Sequence, residues 1–162
     1  MYEIHTAITI DAPKQQVFER LTDYEQFFRG PKMTCRLLAE GVGCKGGLGA
    51  LREVTADGAV FTEEITAFEP PRHFEYVVRS LIDRRGKPLG FLHDRGWLEL
   101  SADGESTRVD WYSRFRVTMP IVGWFIERII GPRAARGFHK LLEQAKADLE
   151  GRRETAGAGR VG

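Results

Sequence analysis

Six β-type runs follow one another between residues 33 and 117, and the gaps between them are too short to hold a helix. The runs fall near 33–41, 48–56, 59–68, 73–81, 93–102 and 106–117. They are separated by "EGVGCKGG", "ADG", "EPPR", "DRRGKPLG" and "ADGES", segments rich in the residues that turns require. Parallel neighbours need a crossover of about a dozen residues or more, usually a helix. No gap here provides one, so the strands are expected to pair antiparallel as a meander.

The two flanks read differently. Residues 2–10, "YEIHTAITI", alternate as a further strand. "DAPKQQVFERLTDYEQFF" then changes period. Asp11 is placed as an N-cap with Pro13 in the first turn, and Val17, Phe18 and Leu21 form one stripe. Asp23 is placed as the cap of a second short helix that turns Tyr24, Phe27 and Phe28 toward the core. From Pro120 to about Glu150 the pattern is helical, and Phe138, Leu141, Leu142, Ala145 and Leu149 mark a face that lies on a sheet. Gly131 and Pro132 are expected to break this helix, because proline lacks the amide donor and crowds the preceding turn. The reading is α+β: a curved antiparallel sheet of about seven strands around a long C-terminal helix, as one domain over 1–151. Residues 152–162, small and polar, are expected to form a disordered tail.

Composition excludes several classes. With 24 Lys plus Arg against 23 Asp plus Glu, the formal net charge of +1 gives no electrostatic case for a nucleic-acid partner. Two cysteines, Cys35 and Cys44, make neither a disulfide scaffold nor a CxxC site. His5, His73, His93 and His139 are scattered without ligand spacing, so no metal is expected, and neither Walker nor GxGxxG spacing points to a nucleotide cofactor. "MYEIHTAITI" has no leader pattern and "MPIVGWFIERIIG" is too short and too charged to span a bilayer, which makes the cytoplasm the expected compartment.

Four stretches, "ITIDAPKQQVFERLTDYEQFF", "EEITAFEPPRHFEYVV", "GWLELSADGESTRVDWYSRFRV" and "HKLLEQAKADLEG", resemble in content and order the helix-grip fold of the START/Bet v 1-like (SRPBCC) superfamily. The likeness is to its polyketide cyclase/dehydrase-like branch. That resemblance implies a hydrophobic cavity between sheet and C-terminal helix. It does not name a reaction, because carriers, receptors and cyclases share the fold.

Adjacent glutamates in "FTEEITAFEPPRHFEYVV" raise the possibility of a carboxylate pair, but successive strand side chains point to opposite faces. Glu63, sharing a face with Phe61, Ile65 and Ala67, is placed inward, either as a proton-transfer group or as a buried structural carboxylate. Phe74, Tyr76 and Val78 form the inner face of the next run; Val109, Trp111, Ser113, Phe115 and Val117 form that of the last. Alternation through "FLHDRGWLEL" groups His93 with Arg95 and Trp97, toward solvent, and turns Asp94 inward. The catalytic candidates are Glu63, Tyr76 and Asp94. The ligand-lining candidates are Phe61, Glu63, Ile65, Tyr76, Val78, Trp111, Ser113 and Phe115, joined by Trp124 and Phe138 from the helix.

"PIVGWFIERII" is apolar over roughly two thirds of a helix circumference, more than one-sided packing needs. Residues 121–130 are therefore expected to be a lid, a homodimer contact, a membrane-surface contact or additional core. Three functions follow: a binding protein for a hydrophobic or aromatic small molecule (polyketide-, lipid- or sterol-like), a metal-free cyclase/dehydratase-type enzyme, or an interaction module working through that helix.

Overall fold

The computed structural model describes residues 1–118 and 123–158, with the side chains of 124, 126 and 153–158 outside the described set. Its elements run β1 (Tyr2–Ile10), α1 (Lys14–Thr22), α2 (Tyr24–Phe27), β2 (Met33–Ala39), β3 (Leu51–Ala56), β4 (Ala59–Glu69), β5 (His73–Ile82), β6 (Phe91–Asp103), β7 (Ser106–Val117) and α3 (Gly123–Ala158). The strands form one seven-stranded antiparallel sheet in the order β1-β7-β6-β5-β4-β3-β2. Only β1 departs from chain order; it closes the meander by pairing with β7 along its whole length, from Tyr2 opposite Phe115 to Ile10 opposite Thr107. This is the helix-grip arrangement that the order of elements predicts.

The sheet curls because four register shifts interrupt its ladders. The residues without a partner across the ladder are Leu38 on β2, Thr66 on β4, Arg79 on β5 and Asp94 on β6. All four are exposed. Each bulge resets the alternation of its strand and adds local twist. The core lies in the concave side, where α1 and α2 contribute Val17, Phe18, Leu21, Tyr24 and Phe27, and α3 contributes Leu141, Leu142 and Ala145. α3 packs chiefly against β1 and β7.

Two expectations about helices need correction. The residue before α1 is Pro13, not Asp11, and neither Pro13 nor Asp23 caps through its side chain. α3 is also continuous across Gly131–Pro132. Proline removes one hydrogen bond there, but packing against β1 holds the helix together. A Cβ on Gly131 would lie 2.1 Å from Cε1 of Tyr2, so glycine lets the helix backbone close onto the strand. The helix also continues past residue 151, the expected edge of the domain, to Ala158.

Candidate functional site

The polar centre of the concave face is built across β3 and β4. Arg52 stands opposite Glu63 in the ladder, and its Nε donates to Glu63 Oε2 at 2.7 Å, with Nη2 also 2.7 Å from that oxygen. The two side chains are 1% and 8% exposed, so the charges are desolvated together. Three rings cover the guanidinium: Tyr24 at 4.2 Å, Phe28 at 4.9 Å and Tyr76 at 5.0 Å from its carbon. Burial is the largest single influence and opposes the Arg52 charge, but Glu63 together with Tyr24, Tyr76 and Cys35 outweighs it, and the guanidinium is held above its ordinary pKa. Tyr24 donates its hydroxyl hydrogen to the Gly46 carbonyl at 2.8 Å, which fixes the ring over the arginine.

Arg52 was not singled out from the sequence, although a signal exists. Ala50, Arg52 and Val54 share one strand parity, and two of the three are small or apolar, so the arginine falls on the inner face by alternation alone.

A second group runs across β5, β6 and β7. The Val78 amide donates to Nδ1 of His93 at 3.1 Å. An amide can only donate, so Nδ1 is the bare nitrogen and the ring hydrogen sits on Nε2, 3.0 Å from Ser113 Oγ. Ser113 in turn hydrogen-bonds Tyr76, and Trp111 Nε1 donates to the same phenol oxygen at 3.1 Å. Trp111 fills one acceptor site of the phenol oxygen, and the buried hydroxyl stays protonated. Burial pushes the Tyr76 hydroxyl well above the ordinary tyrosine range and lowers the His93 pKa to about 4.

His93 corrects the alternation read from "FLHDRGWLEL". The bulge on β6 places Asp94 as the extra residue, so His93 faces inward, stacked on Tyr76 at 5.4 Å, and Asp94 is exposed. Asp94 therefore stands outside the interior in which a catalytic role was expected for it. Trp97, by contrast, stays on the outer face, between the guanidinium groups of Arg95 at 4.2 Å and Arg114 at 5.2 Å. A similar shift at Thr66 leaves Glu63 in line with Phe61 and Ile65 but not with Ala67, and turns Phe68 onto Phe18 in the core.

The remaining residues divide into two groups. Ile65, Trp111 and Phe115 are packed as core, and Phe138 from α3 lies flat on Trp111 with ring centres 4.0 Å apart. Phe61 on β4 and Val78 on β5 are half-buried on the inner face, as are Met33 and Cys35 on the edge strand β2. Trp124 lies outside the described side chains, as do residues 121 and 122. On the far side of Tyr24, a recess of ≈ 530 Å³ opens between the short helices and the loop before β3, with Phe18, Tyr24, Leu37, Cys44 and Phe68 in its wall. Among the described residues no group of three His, Cys, Asp or Glu is placed to hold a metal. None of the described helices is long and apolar enough to cross a membrane.

A seven-stranded grip with a polar centre in its concave face defines the class, and comparison with known proteins agrees. The family model for polyketide cyclase / dehydrase and lipid transport matches residues 1–150, and the chain belongs to that family. Among solved structures it is similar to TTHA0849 from Thermus thermophilus, at 15% identity with a TM-score of 0.72, covering 93% of this chain and 98% of that one. A START superfamily protein from Mycobacterium smegmatis aligns at 12% identity and a TM-score of 0.68, over 93% and 98% of the two chains. The Aha1 dimer from Colwellia psychrerythraea aligns at 14% and 0.61, over 93% and 97%. At such identities the likeness is one of fold. No curated protein matches the sequence significantly.

Proposed function

We propose that this chain binds an apolar or aromatic small molecule, polyketide-, lipid- or sterol-like, on the concave face between sheet and C-terminal helix. The observation that carries this reading is the inner face of β2 to β5. There Met33, Cys35, Phe61 and Val78 stay half-buried although Arg52, Val54, Glu63 and Ile65 beside them are buried. Apolar side chains left partly uncovered around a few fixed polar groups are the usual make-up of a small-molecule site. Hydrophobic burial would supply affinity, and Glu63 and the hydroxyl of Tyr76 would orient the polar end of the ligand.

Binding is preferred over cyclase or dehydratase turnover. Proton transfer at neutral pH calls for a group that titrates near 7. Burial moves Tyr76 up and His93 down, away from that range, and Glu63 is engaged by Arg52.

Native mass spectrometry of freshly purified protein, followed by organic extraction, tests the proposal. A co-purifying apolar molecule near stoichiometry, or thermal stabilisation by members of a polyketide, sterol and fatty-acid panel, is the expected result. A bare protein mass together with no stabilisation by any of them would overturn it.

A further inference from the structure

The described chain exposes nine large apolar side chains, and six of them lie at one end of the molecule. Leu89 and Leu92 come from the β5–β6 hairpin, Phe125, Ile129 and Ile130 from the first turns of α3, and Met1 from the start of the chain. Hydrogen bonds tie these segments together: Thr118 N donates to Gly90 O at 2.9 Å and Val117 N to Glu127 Oε1 at 2.8 Å, while Phe91 pairs with Val117. The hairpin and helix residues are each 41–55% exposed, too much apolar surface in one region for chance scatter.

The charges around this surface are predominantly basic. Arg85, Lys87, Arg116 and Arg128 are basic, and among the described residues none of them forms an ion pair. Of the nearby acids, Asp57 faces Lys32 and Glu127 is buried against Val117 N and the N-terminus, while Asp83, which accepts the backbone amides of Arg85 and Lys87, and Asp94 keep their charge. Four cations against two unpaired carboxylates thus leave an excess of positive charge at one end of a chain whose formal net charge is only +1.

From this combination we propose that the end formed by the β5–β6 hairpin and the first turns of α3 docks on an anionic lipid surface. Leucine and isoleucine enter the interface while arginine and lysine meet the head groups. A second copy of the chain fits less well. A two-fold contact would set this patch against itself and bring the same four cations together.

The test is vesicle co-sedimentation of the full chain on phosphatidylcholine, with and without phosphatidylglycerol, at low and high salt. Binding is expected only with the anionic lipid, and it should weaken as salt rises. Each surface cation is worth about a fivefold change in partitioning, so Arg85→Gln/Lys87→Gln should lower it about 30-fold. Ile129→Asn should lower it about tenfold by removing an inserted side chain, and Arg36→Gln, on the β2 edge, should change it little. All these positions are exposed, and unchanged circular dichroism would confirm that the variants fold. Equal binding to neutral vesicles would overturn the proposal. So would absence of vesicle binding, whether the chain stays monomeric in sedimentation velocity or forms a dimer that Ile129→Asn dissolves.

Discussion

Replacing Glu63 by leucine would leave the Arg52 guanidinium 1% exposed, enclosed by the rings of Tyr24, Phe28 and Tyr76 and without a counter-charge. Breaking a buried pair from one side costs about 3–5 kcal/mol, because the surviving charge stays desolvated. Arg52→Met strands Glu63 in the same way and should cost a similar amount. For a chain of 162 residues, each kcal/mol moves the melting temperature by about 2–4 °C, so either single variant should melt about 6–20 °C lower. The double variant Arg52→Met/Glu63→Leu removes both charges and keeps most of the volume. It forfeits the cation–π contacts but no longer holds an unpaired ion, and should fall within about 2 kcal/mol of the parent. Urea unfolding followed by fluorescence measures all four proteins, with the buried Trp111 as one reporter. A double variant as unstable as the two single ones combined would refute the idea that the pair mainly cancels its own desolvation. If the double variant is stable but no longer retains ligand, the ion pair is kept for binding.

Two further predictions follow from the same interior. His93 has a folded-state pKa of about 4 against an unfolded value near 6.5, so the unfolded chain takes up the proton first as pH falls. The stability that the neutral ring provides is complete above pH 6.5 and declines between there and pH 4, by up to roughly 3 kcal/mol. His93→Phe should flatten that part of the pH profile, and a His93 imidazole NMR signal, identified by its loss in that variant, titrating near pH 6.5 in the folded protein would contradict the assignment. Gly96→Ala would bring a Cβ to 2.2 Å from Cζ of Tyr76, a ring locked by Trp111 and Ser113, and should cost about 1–3 kcal/mol. Gly131→Ala meets Tyr2 at the chain start instead, so thermal melts should show a smaller loss; equal losses would mean that Tyr2 is held as firmly as Tyr76.

Much of the fold was legible because it rests on period and punctuation. Strand runs separated by "ADG" and "EPPR" permit little besides a meander, and the spacing of Phe138, Leu141, Leu142 and Ala145 identifies the face of α3 that packs. Regular alternation also placed Glu63, Tyr76, Trp111 and Ser113 on the interior. It failed at Asp94 and His93 because a bulge is a feature of two strands at once. The extra residue is defined by its missing partner on β7, and nothing in "FLHDRGWLEL" alone reveals that. Arg52 was overlooked for a different reason. A charged residue on an apolar face reads as an interruption until the opposing strand supplies its carboxylate. The break expected at Pro132 shows tertiary packing overriding a local preference: Tyr2 lies more than a hundred residues away in sequence yet packs directly against Gly131.

The four bulge residues have a further consequence. In a bent sheet the outer arc is longer than the inner one, and Leu38, Thr66, Arg79 and Asp94 supply additional length on the outside. Deleting a residue from a strand ordinarily turns every side chain beyond it to the wrong face. At these four positions deletion would do the opposite: it would restore an unbroken ladder, keep Glu63, Tyr76 and His93 inside, and relax the curl. The strands of this protein can therefore change length by one residue without exchanging inside for outside. The width of the grip can be adjusted over generations while the chemistry of its floor stays in place.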